Sequence, residues 1–208
     1  MKKLLSNSML ITIFYYLIVL ANACCSCPKP KSYFFKIEDI HVSHIEFTFQ
    51  GDTDFLYVQT NKDSFQLPKY GLQIQFDTKQ TVQIRQLKSS LMNSAFACKC
   101  AEEDFIARDT LKNIRINTLQ SFNSGHPIGS DVSEYFNYFE YGHQPTKLVK
   151  TSIADFIARH PLKSLNISIP LYLSQEPNAG NTKMQFEIVA EFKNGKILND
   201  TTTAITLY

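Results

Sequence analysis

The feature that most constrains this fold is a hydrophobic period of two. Residues 165–173 read Leu-Asn-Ile-Ser-Ile-Pro-Leu-Tyr-Leu, with apolar side chains at five alternating positions. Successive side chains of a strand point to opposite faces, so this spacing makes one apolar face and one solvated face. Residues 184–192, Met-Gln-Phe-Glu-Ile-Val-Ala-Glu-Phe, repeat the pattern with Glu187 and Glu191 on the wet side. Asn194-Gly195 comes next, the pair favoured in type I′ hairpin turns, and residues 196–208 are expected to return antiparallel. Pro170 has no N–H to give a ladder, which places its strand at an edge or beside a bulge.

The same period runs upstream. Residues 34–49, 55–60, 72–76, 82–84 and 114–116 read as strands, with a polar turn expected at residues 77–80. Two short helices are expected between strands. In the first, Asp131 and Glu134 resemble a capping box, and Val132, Tyr135, Phe136 and Phe139 sit at helical spacing. In the second, Ser152 and Asp155 cap Ile153, Phe156 and Ile157, and Pro161 stops the segment. Asp104-Phe105-Ile106-Ala107-Arg108 recurs as Asp155-Phe156-Ile157-Ala158-Arg159. A single recurrence is no solenoid, and it reads either as two equivalent helical lead-ins or as chance. The fold class expected is mainly β: an antiparallel, immunoglobulin-like β-sandwich with two short helices.

Composition bounds the function. The 208 residues are 44% hydrophobic and 19% charged, which excludes a disordered or low-complexity chain. The net charge of +2 gives no electrostatic footprint for nucleic acid. Both surplus charges, Lys2 and Lys3, lie in residues 1–23, which contain no acid. A basic start, the apolar run of residues 9–20 and the small exit Ala21-Asn22-Ala23 have the layout of a secretory signal peptide. The apolar run is shorter than the roughly 20 residues that a membrane span needs. Beyond the signal the chain is formally neutral.

Cys24 stands directly after that exit and resembles the lipidated first residue of a bacterial lipoprotein, although Ala21 replaces the usual large aliphatic residue. The alternative is plain secretion after an A-x-A cleavage site. Two or more acyl chains make a stable anchor where one does not. Residues 24–30 then form a Pro-punctuated, lipid-anchored spacer and residues 31–208 a single β-sandwich domain. The remaining cysteines form two C-x-C pairs, Cys25 with Cys27 and Cys98 with Cys100. In an exported chain these are disulfide candidates. Four thiolates would also suit zinc or copper(I), the alternative of a metal-handling protein.

Motifs for catalysis are missing: there is no G-x-S-x-G, Walker loop, G-x-G-x-x-G or H-E-x-x-H. His41 and His44 fall on opposite faces of a strand, which argues against a shared metal. His126 and His143 bracket the first expected helix and are candidates for binding loops, or for the histidine site of an envelope hydrolase. No catalytic residue, metal ligand or cofactor is assigned.

In layout the chain resembles the uncharacterised lipoproteins of Bacteroidota. The resemblance rests on Ala23-Cys24-Cys25, on Phe35-Lys36-Ile37-Glu38-Asp39-Ile40, on residues 129–136 and on the ending from Ile169 through Asn194-Gly195 to Leu207. It implies an anchored β-rich domain and brings no catalytic residues with it. The expected function is a non-enzymatic binding or accessory module of the cell envelope, anchored in the outer membrane and facing the periplasm. Its partner would be an envelope protein or a glycan.

Overall fold

Alternation becomes strands throughout. The computed structural model describes Thr12, Phe14, Tyr15 and residues 32–50, 54–84, 104–141, 148–177 and 182–208. The chain divides into two compact units, one of Met1–Tyr33 with Val82–Asp104 and one of Phe34–Thr81 with Phe105–Tyr208. The buried core lies in the second. No helix among the described residues is long and apolar enough to cross a membrane.

The strands are β1 (Ser32–Gln50), β2 (Asp54–Gln59), β3 (Ser64–Phe65), β4 (Tyr70–Ile84), β5 (Asp104–Ala107), β6 (Leu111–Thr118) and β7 (Phe136–Tyr141). After β8 (Leu148–Ser152) comes the helix α1 (Ile153–Arg159). Then come β9 (Ile167–Leu173), β10 (Thr182–Met184), β11 (Phe186–Phe192), β12 (Ile197–Thr201) and β13 (Ile205–Leu207). A seven-stranded sheet runs β2-β1-β4-β9-β7-β8, with β5 also paired to β1. Two three-stranded sheets, β12-β11-β6 and β10-β13-β3, complete the fold. The result is a mainly β, predominantly antiparallel, sandwich-like architecture.

The main core fills the space between these layers. Leu72, Ile74 and Phe76 of β4 and Ile169, Leu171 and Leu173 of β9 meet Phe186, Ile188, Ala190 and Phe192 of β11. Tyr70 stacks against Phe186 at 6.3 Å, and Phe136 meets the same ring edge-on at 5.4 Å. Each fully buried side chain of this size is worth about 1.5–3 kcal/mol, which makes this shared surface the main stabilising term. Asp109, itself buried, accepts hydrogen bonds from the Ile37 N–H (3.0 Å) and Asn194 Nδ2 (2.6 Å). Lys196 Nζ donates to the Ile37 carbonyl nearby. These bonds fix β1 where its alternation slips by one residue, with Glu38 and Asp39 both exposed.

Several sequence expectations change. The C-terminal hairpin forms, with Glu191 opposite Ile197, but through a three-residue loop rather than a two-residue type I′ turn. Gly195 N–H bonds the Phe192 carbonyl, and Gly195 takes φ 84°, the left-handed bulge residue of such loops. Residues 184–192 are two strands: between β10 and β11, Thr202 Oγ1 accepts the Phe186 N–H in place of a ladder partner. The turn at residues 77–80 is absent, because β4 runs straight through it. Asp77 and Lys79 point to solvent, where they pair with His41 and Glu38. Pro170 lies opposite Gln73 of β4, beyond the point where the β7 pairing stops at Tyr172.

Of the two expected helices only the second forms. Ser152 Oγ accepts the Asp155 N–H as an N-cap, and α1 begins there. Residues 131–139 instead make a 3-10 turn, Ser133–Tyr135, and then enter β7. Asp131 Oδ1 does cap the Ser133 N–H, but the adjoining Phe-Asn-Tyr-Phe run suits a half-buried strand. The recurring Asp-Phe-Ile-Ala-Arg segments are not equivalent. The first is strand β5, paired with β1, and the second is α1. Tertiary pairing overrides a propensity that the two segments share.

Candidate functional site

Beyond the slip at Glu38 and Asp39, β1 serves two surfaces. Ile40 and Val42 face the main core, whereas Ile45 and Phe47 enter a second cluster on the outer side of the seven-stranded sheet. The cause is parity: residues 45, 47 and 49 share the face opposite to 40, 42 and 44. The β1–β2 register sets Phe47 opposite Tyr57 and Phe49 opposite Phe55, so four aromatic side chains share one face of the hairpin.

Phe139 of β7 and Tyr172 of β9 complete the group. Phe47 lies 5.6 Å from Phe55, 5.9 Å from Tyr57, 5.5 Å from Tyr172 and 6.1 Å from Phe139, ring centre to ring centre. Phe49 meets Phe139 and Tyr172 edge-on, at 5.6 and 5.5 Å. Offset and edge-on arrangements at these distances add roughly 0.5–1.5 kcal/mol per pair beyond the area buried. Phe47 can approach the β4 backbone this closely because Gly71 has no side chain.

The cluster has a buried centre and an open rim. Phe47 is 1% exposed, whereas Phe49 and Tyr57 are 39% and 37% exposed. Polar groups stand beside the rings. Lys150 Nζ lies 5.4 Å from the centre of the Tyr172 ring, a cation–π approach. Asn137 Nδ2 donates to Ser174 Oγ at 2.7 Å, and Gln73 Nε2 donates to Ser168 Oγ at 2.6 Å. Partial burial raises the Tyr172 phenol above its ordinary pKa and keeps it neutral.

The residues singled out from sequence lie elsewhere. Cys24, Cys25, Cys27, Cys98, Cys100 and His143 are outside the described residues. His126 sits in a tight loop, where Nδ1 bonds Asn123 Oδ1 at 2.8 Å and lies 3.3 Å from the Tyr135 hydroxyl. Its Nε2 is 3.5 Å from a Glu134 carboxylate oxygen. Both ring nitrogens therefore serve the loop itself. His41 is exposed beside Asp77, while His44 is buried between Tyr70 Oη (3.0 Å) and Thr203 (3.0 Å), on the opposite face as parity requires. Glu140 binds His160 Nε2 at 2.6 Å and Arg159 Nη1 at 2.7 Å, clamping the end of α1 to β7. No group of three or more metal-ligating side chains occurs among the described residues.

Sequence reading missed the aromatic face. Phe47, Phe49, Phe55 and Tyr57 were legible as alternating residues of two strands, and parity alone puts them on one side of a hairpin. Nothing local shows that Phe139 and Tyr172 come up beside them.

Residues 62–203 match a family described as a domain of unknown function, DUF5034. No curated protein and no solved structure matches the chain.

Proposed function

We propose that this chain, which belongs to the DUF5034 family, is a non-enzymatic module of the bacterial cell envelope that binds a glycan on the outer face of its seven-stranded sheet. One observation carries the reading: contacting aromatic rings of β1, β2, β7 and β9 lie on the side away from the main core, with Phe49 and Tyr57 open to water. A pyranose has a C–H face that stacks on aromatic rings and a girdle of hydroxyls that needs donors and acceptors. The rings supply the first, and Gln73, Asn137 and Lys150 at their edge supply the second. Binding sites of this kind combine apolar area with a few placed polar groups.

Envelope placement rests on the signal-like residues 1–23 and on Cys24, through the likeness to Bacteroidota lipoproteins. The lipid tether would hold the domain at the outer membrane, facing the periplasm. The intact mass of the protein from a membrane fraction tests this. A chain beginning at Cys24 with added acyl mass is expected, and an unmodified chain beginning there would replace the anchor with plain secretion.

The binding reading is tested by screening the full chain on an array of bacterial glycans, beside Phe49→Ala and Tyr57→Ala. Expected is binding that falls at least tenfold in each variant while the folded far-UV spectrum persists. Failure of the wild type to bind any glycan, or binding untouched by both substitutions, would overturn the proposal.

A further inference from the structure

Strand β2 ends the order of the seven-stranded sheet among the described residues and carries apolar side chains on both of its faces. The Thr60 N–H donates to the His44 carbonyl at 3.1 Å, and the register continues with Gln59 opposite Ile45 and Val58 opposite Glu46. Bonded pairs alternate along an antiparallel ladder. Leu56 and Val58 therefore turn their backbone groups toward β1, while Tyr57 and Gln59 turn theirs toward the rim of the sheet. Among the described residues no strand pairs with β2 on that side. Tyr57 belongs to the aromatic face, and Leu56 and Val58 on the reverse face are 56% and 66% exposed. Edge strands are usually protected by charge, proline or a bulge, and Leu56-Tyr57-Val58 has none of these.

We propose that β2 pairs antiparallel with β2 of a second copy of the chain, about a two-fold axis normal to the sheet at Tyr57. The β2 edge is self-complementary. Such an axis keeps each face on its own side, so opposed residues must share parity. Centred on Tyr57, the axis opposes Tyr57 to Tyr57 of the second copy, and Leu56 to Val58 of the second copy. The two Tyr57 residues then exchange both of their outward backbone hydrogen bonds. Leu56 and Val58 from the two copies form an apolar quartet on one face. On the other face the two aromatic clusters join into one strip.

In this register Asp54 opposes Thr60 of the second copy, a polar residue, at both ends of the pairing. The rival register, centred on Leu56, would set Val58 against Asp54. The contact is isologous and small, below about 1,200 Å² in total, so the dimer forms reversibly and dissociates on dilution. This inference is independent of whether the aromatic face takes a glycan.

Register-specific cross-linking of the full chain is the test. Opposed residues of a bonded antiparallel pair have Cα atoms about 5.5 Å apart, within disulfide reach. Mild oxidation should therefore give several-fold more covalent dimer from Tyr57→Cys than from the wild type. Gln59→Cys, two residues off the axis, should give no more than the wild type. Sedimentation should show the wild type dimerising with concentration, and Leu56→Lys with Val58→Lys remaining monomeric with an unchanged far-UV spectrum. A wild type that stays monomeric over the whole range, equal cross-linking at 57 and 59, or a dimer that survives both lysines would overturn the proposal. The first of these outcomes would leave the edge to a strand from a different protein.

Discussion

Gly71 offers a sharp test of the outer cluster, because its role is spatial rather than conformational. It is not among the glycines with positive φ. A β-carbon built on it would lie 2.3 Å from the Leu171 carbonyl oxygen and 2.4 Å from Phe47 Cε2. The ring can swing aside. The oxygen cannot move without opening the end of the β4–β9 ladder, where Gly71 opposes Tyr172. Overpacking costs about 1–3 kcal/mol, and a lost ladder bond adds about 1 kcal/mol. Against this, Gly→Ala restricts the unfolded chain and returns about 0.4–1 kcal/mol. Gly71→Ala should therefore destabilise by about 2–3 kcal/mol, which lowers Tm by about 5–10 °C in a domain of this size. Urea unfolding with an unchanged m-value is the measurement. In a Phe47→Ala background the same substitution should cost less yet still more than about 1 kcal/mol, since Leu171 oxygen remains. A Gly71→Ala protein within about 0.5 kcal/mol of wild type would refute the close-approach argument.

The buried and clamped polar groups give further expected outcomes. Burial lowers the pKa of His44 below 6.5, partly offset by its bond to the Thr203 carbonyl. The unfolded chain then takes up the proton first, so stability is complete above pH 6.5 and falls as pH drops below it. The fall is at most about 1.4 kcal/mol per pH unit, until the folded pKa is passed. Unfolding curves between pH 7.5 and 5 should show this, and His44→Gln should flatten that part of the profile. For Glu140, burial opposes ionisation, but the hydrogen bond from His160 and the charges of Arg159 and His160 outweigh it and hold the carboxyl below 4.5. Its contribution is present above pH 4.5 and lost as pH falls through the lowered value. Glu140→Gln should cost about 1 kcal/mol at neutral pH and release α1 first, seen as faster amide exchange there. For Asp109→Ala, which strips the Ile37 N–H of its acceptor, a loss of about 1–3 kcal/mol is expected in chemical denaturation. Intact mass with and without reduction, together with a metal assay, should find Cys25, Cys27, Cys98 and Cys100 oxidised and metal-free. Bound zinc or copper would favour the metal-handling alternative.

How much was legible depended on how local the cause was. Strands β9 and β11 carried their faces in their own alternation, and Asn194-Gly195 located the C-terminal hairpin, because parity and turn chemistry act over a few residues. α1 was legible for the same reason, since Ser152 caps it from the adjoining position. The capping signal at Asp131 was also real, but it produced only one turn. Phe136 and Tyr138 then found more burial as strand residues beside β8 and β9 than a helix would give them. For the recurring Asp-Phe-Ile-Ala-Arg segments, identical residues diverge because only the first has β1 beside it. The aromatic face was the least legible, since it needs Phe139 and Tyr172 to arrive next to Phe47 and needs Gly71 to be low enough beneath them. Those are facts of strand order, which no window of sequence contains.

The parallel pairing of β3 with β13 has a consequence for how the molecule forms. Thr206 and Leu207 lie beside Ser64 and Phe65, the Leu67 N–H bonds the Tyr208 carbonyl, and Phe65 and Leu207 are both buried. The partners are about 140 residues apart, a loop whose closure entropy is lost before its contacts are gained. Phe65 can pack early on Tyr70 and His44, but the Asp63 and Phe65 carbonyls receive the Thr206 and Tyr208 N–H groups only when β13 docks. Long-range pairing of this kind slows folding and places this seam among the late contacts. The export proposed above would suit such an order, because a chain crossing a membrane must not close its core early.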